Sequence, residues 1–309
     1  MKKRKEKVLQ EKKLFSSKKL IIISFALAVI IVFGFLLSSF LLQTREVKFS
    51  LKAAIIDQLG EEVQNYDFNE TGVVANILKN AGFNVSYYES KTVNVTFYKG
   101  LATYNYGIII LRAHSATREG ETIVDFFTSE KFNVYKHVSE QENGLLTKGY
   151  YSWRSGEFYF AITPKFIENL DGCFPKSIVI AMGCNSLNKT CTEMAEAFIK
   201  KGAKAYIGWT GLVQASHTDN ETIELLRMLL KENKTIKEAV SRISPDWHFY
   251  PPVSKLRYYP EWAGGLKISG LIAETKGSSN HQSAVTFFKP MSAVCITSFI
   301  MLKIRKKFR

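Results

Sequence analysis

The sequence predicts an α/β domain with a doubly wound, mostly parallel sheet, placed between two hydrophobic segments near the ends of the chain. Two observations indicate the fold class. Short β-rich runs alternate with amphipathic helical runs from residue 51 onwards, and two of the β-rich runs have continuous apolar centres, as strands buried on both faces do. A third observation is that residues 115–176 break the alternation, which predicts a β insertion.

The predicted sheet strands span residues 51–57, 83–89, 106–114, 177–184 and 203–209. The predicted helices span residues 70–82, 191–203, 218–233 and 235–243, and Thr218 or Asp219 is expected near the N-cap of the third. Helices that return the chain between successive strands imply parallel pairing. The insertion is expected to hold two strands, in 121–129 and 157–163, and a surface loop over 130–150. From Ser244, an aromatic and proline-rich segment predicts an ordered wrap or a membrane-proximal stalk.

The first hydrophobic segment, residues 20–42, contains no charge and no proline. As a helix it would extend about 35 Å, enough to cross a hydrocarbon core of about 30 Å. The residues that follow it do not resemble a signal-peptide cleavage site, so an uncleaved transmembrane anchor is favoured over a cleaved signal or a core helix. Residues 1–19 carry a net charge of +7, which predicts a cytoplasmic N-terminus and an extracytoplasmic domain over 43–283.

The second hydrophobic segment, residues 284–302, is interrupted by Lys289 and Pro290 and is followed by five positive charges in 303–309. A second membrane crossing that returns to a cytoplasmic tail is predicted, with an interfacial helix or a membrane-proximal tail as the alternative. The two tails account for +12 of the net charge of +14. The positive charge is therefore explained by topology, which makes the lipid bilayer the expected partner and excludes a nucleic-acid-binding role.

The region between the hydrophobic segments contains six N-x-S/T sequons, whereas the tails contain none. Their asparagines are Asn69, Asn84, Asn94, Asn188, Asn220 and Asn233. This distribution favours a glycosylated exterior domain, and ordinary Asn-rich loop composition is the alternative. Three cysteines, Cys173, Cys184 and Cys191, lie in the same region, which outside the cell predicts one disulfide and one free thiol. Pairing of the outer two would leave Cys184 free.

His114 and Cys184 are the residues on which a chemical prediction rests. Each ends a predicted parallel strand, and ligands bind at the carboxyl ends of such strands. If the two strands are neighbours, an imidazole and a thiol emerge side by side and can act as a nucleophilic pair on a carbonyl. Backbone N–H groups in the turn after Cys184 are expected to hold the oxyanion. The alternative is a structural histidine beside a buried cysteine.

The order of a strand ending in His, an insertion, a strand ending in Cys and a helix resembles the caspase–haemoglobinase fold of the clan CD cysteine peptidases. The run from MGCNSLNKTC to ELLRMLL is most similar to the CHAT and gingipain-like branches, and the resemblance covers about residues 51–243. It implies Cys184 as nucleophile and His114 as general base or acid. The family usually has Gly where this chain has Ser115, and often has Ala where this chain has Gly183. The resemblance therefore implies a membrane-anchored cysteine peptidase acting on a peptide or protein, or an inactive surface module on the same fold.

Further residues are candidates for binding at the same rim. Trp209 and His217 lie near another strand end, where a core tryptophan and a surface histidine are the alternatives, and Asn185 follows the candidate nucleophile. Arg112 shares a strand face with His114 and is expected either to bind an acidic group or to form a structural ion pair. No phosphate loop, dinucleotide fingerprint or metal-ligand cluster is present in the sequence, so no cofactor or metal is predicted.

Overall fold

The computed structural model describes residues 25–34, 48–151, 156–249 and 253–275. The chain divides into two units, Met1–Val47 and Lys48–Arg309. In the first unit, residues 25–34 are helical.

The membrane predictions fall mostly on other residues. The tail 1–19, the remainder of the anchor 20–42, the segment 284–302 and the tail 303–309 lie outside the described residues. Among the residues that are described, no helix combines the length and apolar character needed to cross a membrane.

The second unit alternates strands and helices along the chain. Its strands are β1 (Lys52–Asp57), β2 (Asn84–Glu89), β3 (Ile108–Arg112), β4 (Ser115–Thr117), β5 (Val124–Lys131), β6 (Leu146–Tyr150), β7 (Phe158–Ile162), β8 (Ile178–Ala181), β9 (Ala205–Trp209) and β10 (Leu256–Tyr259). Its helices are α1 (Val73–Asn80), α2 (Val95–Gly100), α3 (Val138–Glu142), α4 (Pro164–Glu168), α5 (Glu193–Lys200), α6 (Ala215–Leu226) and α7 (Ile236–Val240). A π-helical turn, Arg227–Lys231, extends α6.

Six strands form the main sheet, in the order β10–β9–β8–β3–β1–β2. All the neighbouring pairs are parallel except β9 and β10, which are antiparallel. The predicted α/β class with a mostly parallel sheet is therefore confirmed. The five strands predicted from the sequence are the parallel ones, and the sixth comes from the segment after Ser244.

The main sheet is buried on both faces because alternate side chains of its central strands enter two different cores. In β3, Ile108 and Ile110 pack in one core, with residues of α1, α6 and α7, while Ile109 and Leu111 pack in the other, with residues of α2, α4 and α5. Each fully buried aliphatic side chain stabilises the fold by roughly 1.5–3 kcal/mol relative to exposure. The continuous apolar run in this strand is the direct consequence of that two-sided burial.

The insertion between β3 and β8 forms a second, antiparallel sheet in the order β4–β5–β7–β6. The two predicted strands are confirmed as β5 and β7. The predicted surface loop over 130–150 is wrong, since α3 and β6 lie within it. The sequence of β6, LTKGY, is weakly apolar, and the strand forms because it pairs in register with β7. Gly149 is required there, since an added Cβ would lie 2.5 Å from the Phe127 ring.

The segment after Ser244 is an ordered wrap in its described part. An isolated bridge pairs Asp246 with Ser254, β10 then pairs along β9, and a 3₁₀ turn follows at Glu261–Gly265. The wrap therefore adds an edge strand to the main sheet and lies close to the carboxyl ends of β8 and β9.

Candidate functional site

The carboxyl ends of β3 and β8 place His114 and Cys184 at neighbouring positions of one rim. The two strands are paired in parallel with Leu111 opposite Ala181, and His114 and Cys184 each follow three residues later, just beyond the strand ends. The Ser115 hydroxyl donates to the Cys184 carbonyl oxygen at 2.6 Å and joins the segments that follow the two strands directly. The expectation that the two strands are neighbours is confirmed.

The His114 ring is held by a carboxylate that the sequence analysis did not identify. Its Nε2 lies 3.1 Å from Glu62 Oε2, and each of the two side chains is 20% exposed. Glu62 lies in the loop after β1, which ends at the same rim because β1 is the neighbour of β3. The ring also packs against Tyr151, with 4.7 Å between ring centroids, and Phe127, at 6.3 Å. The β insertion therefore forms one wall around the histidine.

Gln58 fixes the backbone at the histidine and was also missed. It is buried directly after β1, and its side-chain oxygen accepts a hydrogen bond from the His114 N–H at 3.0 Å. Its amide nitrogen donates to the Tyr151 hydroxyl at 3.2 Å. The available sequence signal was a glutamine directly after the end of a predicted strand, because ligands bind at the loops that begin at such strand ends.

The Cys184 thiol lies against the backbone of Val213. Its Sγ accepts from the Val213 N–H at 3.4 Å and donates to the Val213 carbonyl oxygen at 3.5 Å. Burial raises the pKa of the Cys184 thiol, the hydrogen bond from Val213 opposes this, and the negative charge of Asp246 adds to the rise. At neutral pH the thiol is therefore protonated, so a nucleophilic attack requires a base that removes the proton.

The loop that contacts the thiol is fastened by the wrap. The Gln214 N–H donates to Asp246 Oδ2 at 2.6 Å, and the Gly211 N–H donates to Ser254 Oγ at 3.1 Å. Both acceptors belong to the segment after Ser244, whose role at the rim the sequence did not indicate. Two large apolar side chains of these segments, Leu212 and Trp247, are exposed at 49% and 62%. The surface beside the thiol is therefore partly apolar.

The turn after Cys184 does not provide the expected oxyanion donors. The Asn185 N–H donates to the Gly211 carbonyl oxygen at 2.8 Å, and the Ser186 N–H lies 3.4 Å from the Gly183 carbonyl oxygen. Asn185 adopts a left-handed conformation with φ of 55°, which turns the chain sharply at this point.

Ser115 and Gly183, the two departures from the family pattern, lie in contact. A Cβ added to Gly183 would lie 2.2 Å from Ser115 Oγ and 2.5 Å from the Ala113 carbonyl oxygen. The serine side chain thus occupies the space that an alanine methyl would need at residue 183. Each departure accommodates the other, and the two strand ends keep their close approach.

Arg112 is buried beneath the rim in an ion-pair network. Its Nη1 lies 2.6 Å from Asp57 Oδ1, and its Nε and Nη2 each lie 2.8 Å from a different carboxylate oxygen of Asp219. The Nη2 also donates to the Val63 carbonyl oxygen at 2.9 Å, and the arginine has no exposed surface. Of the two expected roles, the structure therefore places Arg112 in a structural ion pair.

The start of α6 also differs from the prediction, because the two residues expected near its N-cap bind buried donors within the helix. The helix begins at Ala215, with Gln214 at the N-cap position, instead of near Thr218 or Asp219. Both of these residues are buried within the helix. Thr218 accepts from Trp209 Nε1 at 2.8 Å, and Asp219 binds Arg112. Their polar side chains resemble an N-cap signal in the sequence, whereas in the fold they satisfy buried donors.

The remaining rim candidates have structural partners. Trp209 is buried in the core, and its ring lies 5.4 Å from that of His217. His217 is partly exposed, and its Nε2 lies 2.9 Å from the Ser244 carbonyl oxygen. The structure thus places Trp209 as a core side chain and brings His217 to the wrap.

The expected disulfide is not formed. Cys173, Cys184 and Cys191 are all free, with Cys173 exposed and Cys191 buried. The prediction of one disulfide and one free thiol among these three cysteines is therefore wrong, and Cys184 is free without a pairing of Cys173 with Cys191. In the part of the chain that the structure describes, no three His, Cys, Asp or Glu side chains are grouped as a metal site.

Comparisons with known proteins add no family assignment. No protein-family model matches the chain, and no curated protein matches it significantly.

Proposed function

We propose that this chain is a membrane-anchored, extracytoplasmic cysteine peptidase in which Cys184 attacks a peptide carbonyl and His114 transfers the proton. The observation that carries the proposal is the placement of the thiol and imidazole at the ends of adjacent parallel strands, with Glu62 on the imidazole. A nucleophile, a base and a group that orients the base form the arrangement needed for covalent catalysis.

The proton must leave the thiol as the sulfur attacks, because burial keeps the thiol protonated at rest. Glu62 contacts His114 Nε2 and orients the imidazole that receives the proton. The S–C bond forms as the carbonyl π electrons move to oxygen. The C–N bond then breaks, the amine departs with the proton from His114, and water hydrolyses the thioester. Glu62 stabilises the imidazolium that exists between these steps.

The finer fold assignment belongs to the same proposal. We assign the domain to the caspase–haemoglobinase fold on three features: the parallel order of β2, β1, β3, β8 and β9, the His and Cys at adjacent strand ends, and the insertion between them. Ser115 and Gly183, where the sequence departs from the family pattern, lie in contact, so the close approach of the strand ends is compatible with both residues.

The substrate class follows from the surface beside the thiol. Leu212 precedes the residue that contacts Cys184, and Trp247 follows the aspartate that fastens that loop. Both side chains are large, apolar and exposed. Arg112, the nearest basic residue of β3, is bound by Asp57 and Asp219. Peptides with a large apolar side chain close to the scissile bond are therefore favoured over peptides with an acidic one.

The cellular placement rests on the sequence of the hydrophobic segments. Residues 20–42 anchor the chain, the basic residues 1–19 keep the N-terminus in the cytoplasm, and 284–302 crosses the membrane again. The domain is then tethered at both ends to the outer face of the membrane, where it meets peptide or protein substrates.

A second candidate function is an inactive surface module that binds a peptide at the same rim. It is favoured by two observations: the thiol is held by Val213 in a protonated state, and the amides after Cys184 are already hydrogen-bonded. The two functions share the fold and the rim and differ in whether Cys184 forms a bond to the substrate.

The test is turnover of a diverse peptide library by the full-length chain in detergent. Cleavage by the wild type, loss of cleavage in Cys184→Ala, and retention in Cys173→Ala, which removes an exposed thiol, would support the peptidase. Cleavage that survives Cys184→Ala would exclude the proposed nucleophile. Saturable peptide binding without cleavage would favour the inactive module.

A further inference from the structure

Two of the six sequons have the same local geometry. At Asn69, the Thr71 N–H and hydroxyl both donate to the asparagine side-chain oxygen, at 2.9 and 3.2 Å. At Asn188, the Thr190 N–H and hydroxyl donate in the same way, both at 3.1 Å. In each case the threonine of the sequon fixes the asparagine oxygen. The two sites can therefore differ only in the hydrogen bonds of the amide nitrogen.

The side chains of other sequons are used elsewhere in the fold. The Asn94 oxygen caps α2 by accepting from the Phe97 N–H at 2.9 Å. Thr222 is buried in α6, and the Thr235 hydroxyl donates to Glu238 at 2.9 Å in a capping box at the start of α7. These sequons lack the contact between threonine and asparagine seen at Asn69 and Asn188.

Asn69 and Asn188 differ in their amide nitrogens. The Asn188 nitrogen donates to the Thr210 carbonyl oxygen at 3.0 Å and lies 3.3 Å from Asn185 Oδ1. A glycosylated asparagine keeps one amide hydrogen, so modification of Asn188 would break one of these contacts beside the Cys184 turn. Within the described residues, the Asn69 nitrogen makes no hydrogen bond. Glycosylation of Asn69 would therefore break no hydrogen bond among the described residues.

The surface beside Asn69 also offers a place for a sugar. A cavity of about 510 Å³ opens next to it, lined by Asn69, Glu70, Thr71, Tyr87, Tyr88, Glu89 and Thr92. Both tyrosines are only partly buried, and aromatic faces with nearby carboxylates suit the apolar faces and hydroxyls of a sugar ring. The first residues of a glycan on Asn69 can thus lie against the edge of the main sheet.

We propose that Asn69 carries an N-linked glycan and that Asn188 does not, an inference that rests on the extracytoplasmic placement proposed above. The donor is a sugar chain linked to a lipid phosphate. The Asn69 Nδ2 forms a bond to the sugar C1 as the bond from C1 to the phosphate oxygen breaks. The electron pair of that bond leaves with the lipid phosphate, and one amide proton goes to a base of the transferase.

The experiment is peptide mass spectrometry of the full-length chain purified from the membranes of its own cells. A glycan-derived mass is expected on the peptide that contains Asn69 and not on the peptide that contains Asn188. The mass is expected to be lost in Asn69→Gln and in Thr71→Ala, which keeps the asparagine and removes the sequon. Asn188→Gln, the matched control, is expected to leave the glycan mass unchanged.

Labelling of the exposed Cys173 by a membrane-impermeant maleimide on intact cells separates the possible failures. An unmodified Asn69 with Cys173 labelled would overturn the glycan assignment and leave the peptidase proposal standing. An unmodified Asn69 with Cys173 protected would overturn the extracytoplasmic placement on which both proposals rest. A glycan on Asn188 in place of Asn69 would overturn the argument from the amide nitrogens.

Discussion

Two polar clusters lie two residues apart in the chain, one at the last residue of β3 and one just beyond it, and they differ in how completely their groups are satisfied. Beneath the rim, Arg112 is fully buried and binds Asp57 and Asp219 through bonds of 2.6–2.8 Å. At the rim, His114 and Glu62 remain partly exposed, 3.1 Å apart. A buried charge must be paired to be tolerated, whereas a partly exposed one can change its state during a reaction.

The buried cluster around Arg112 positions the partly exposed pair of His114 and Glu62. Through Arg112 Nη2 and the Val63 carbonyl oxygen, the buried network fixes the loop that carries Glu62. Through Asp219, it fixes α6, which follows the loop that contacts Cys184. Changes in the deep cluster are therefore expected to affect stability, and changes at the rim to affect chemistry.

The largest expected effect is that of Arg112→Met. It leaves the two carboxylates of Asp57 and Asp219 buried without their cation, which is expected to lower the free energy of unfolding by about 3–5 kcal/mol. Urea unfolding of the detergent-solubilised chain, followed by tryptophan fluorescence, measures it. Arg227→Met, in the exposed pair with Glu224, is the control and is expected to cost under about 1 kcal/mol. Equal losses in the two variants would show that the buried network is not structural.

The next effect concerns the contact between the two strand ends. Gly183→Ala is expected to cost about 1–3 kcal/mol of stability, because its Cβ would overlap Ser115 Oγ. Adding Ser115→Gly is expected to recover part of this loss, since the Ala113 carbonyl oxygen would still lie 2.5 Å from the Cβ position. A double-mutant cycle measured by urea unfolding tests the coupling. Strictly additive effects would contradict the proposed compensation.

A smaller effect is expected at the orienting carboxylate. Glu62→Gln keeps a hydrogen-bonding group but removes the charge that stabilises the His114 imidazolium, so kcat is expected to fall about tenfold, equivalent to roughly 1.4 kcal/mol. Glu61→Gln changes the exposed neighbouring residue and is the matched control. Steady-state kinetics on the best library peptide provides the measurement. An unchanged kcat in Glu62→Gln, or an equal fall in both variants, would remove Glu62 from the site.

The smallest expected effect is a shift of the Cys184 thiol titration to higher pH. Burial raises the pKa of the Cys184 thiol, so the thiolate fraction at any given pH is lower than for an ordinary cysteine. Alkylation of Cys184 by iodoacetamide is therefore expected to increase with pH, with a midpoint above the pKa of an ordinary cysteine thiol. Peptide mass spectrometry in a Cys173→Ala, Cys191→Ala background follows the reaction. A midpoint below that value would indicate a resting thiolate paired with imidazolium and would contradict the proton transfer proposed here.

The sheet could be predicted from the sequence because its central strands are buried on both faces. β3 and β8 appear as continuous apolar runs, and the chain alternates between strands and helices around them. The strand β6 could not be predicted, because its residues form a strand only through pairing with β7. The edge strand β10 was hidden for a similar reason, since its aromatic sequence is compatible with many irregular structures.

The site was predictable to the extent that strand ends determine it. His114 and Cys184 follow from the rule that parallel strands end at a common rim. Glu62, Gln58 and Val213 lie in loops, and their roles depend on distances that no local pattern encodes. Arg112 was ambiguous in the sequence, because its partner Asp219 is 107 residues away. The hydrogen-bonded amide of Asn185 depends on the loop at Gly211, which the sequence does not place.

The most direct test of the central claim is covalent trapping of the full-length chain with a peptidyl electrophile that carries a large apolar side chain. Peptide mass spectrometry is expected to locate the adduct on Cys184 and to show that its formation slows strongly in His114→Ala, while Cys173→Ala leaves it unchanged. An adduct confined to the exposed Cys173, or one that forms on Cys184 equally fast without His114, would contradict the proposed pair.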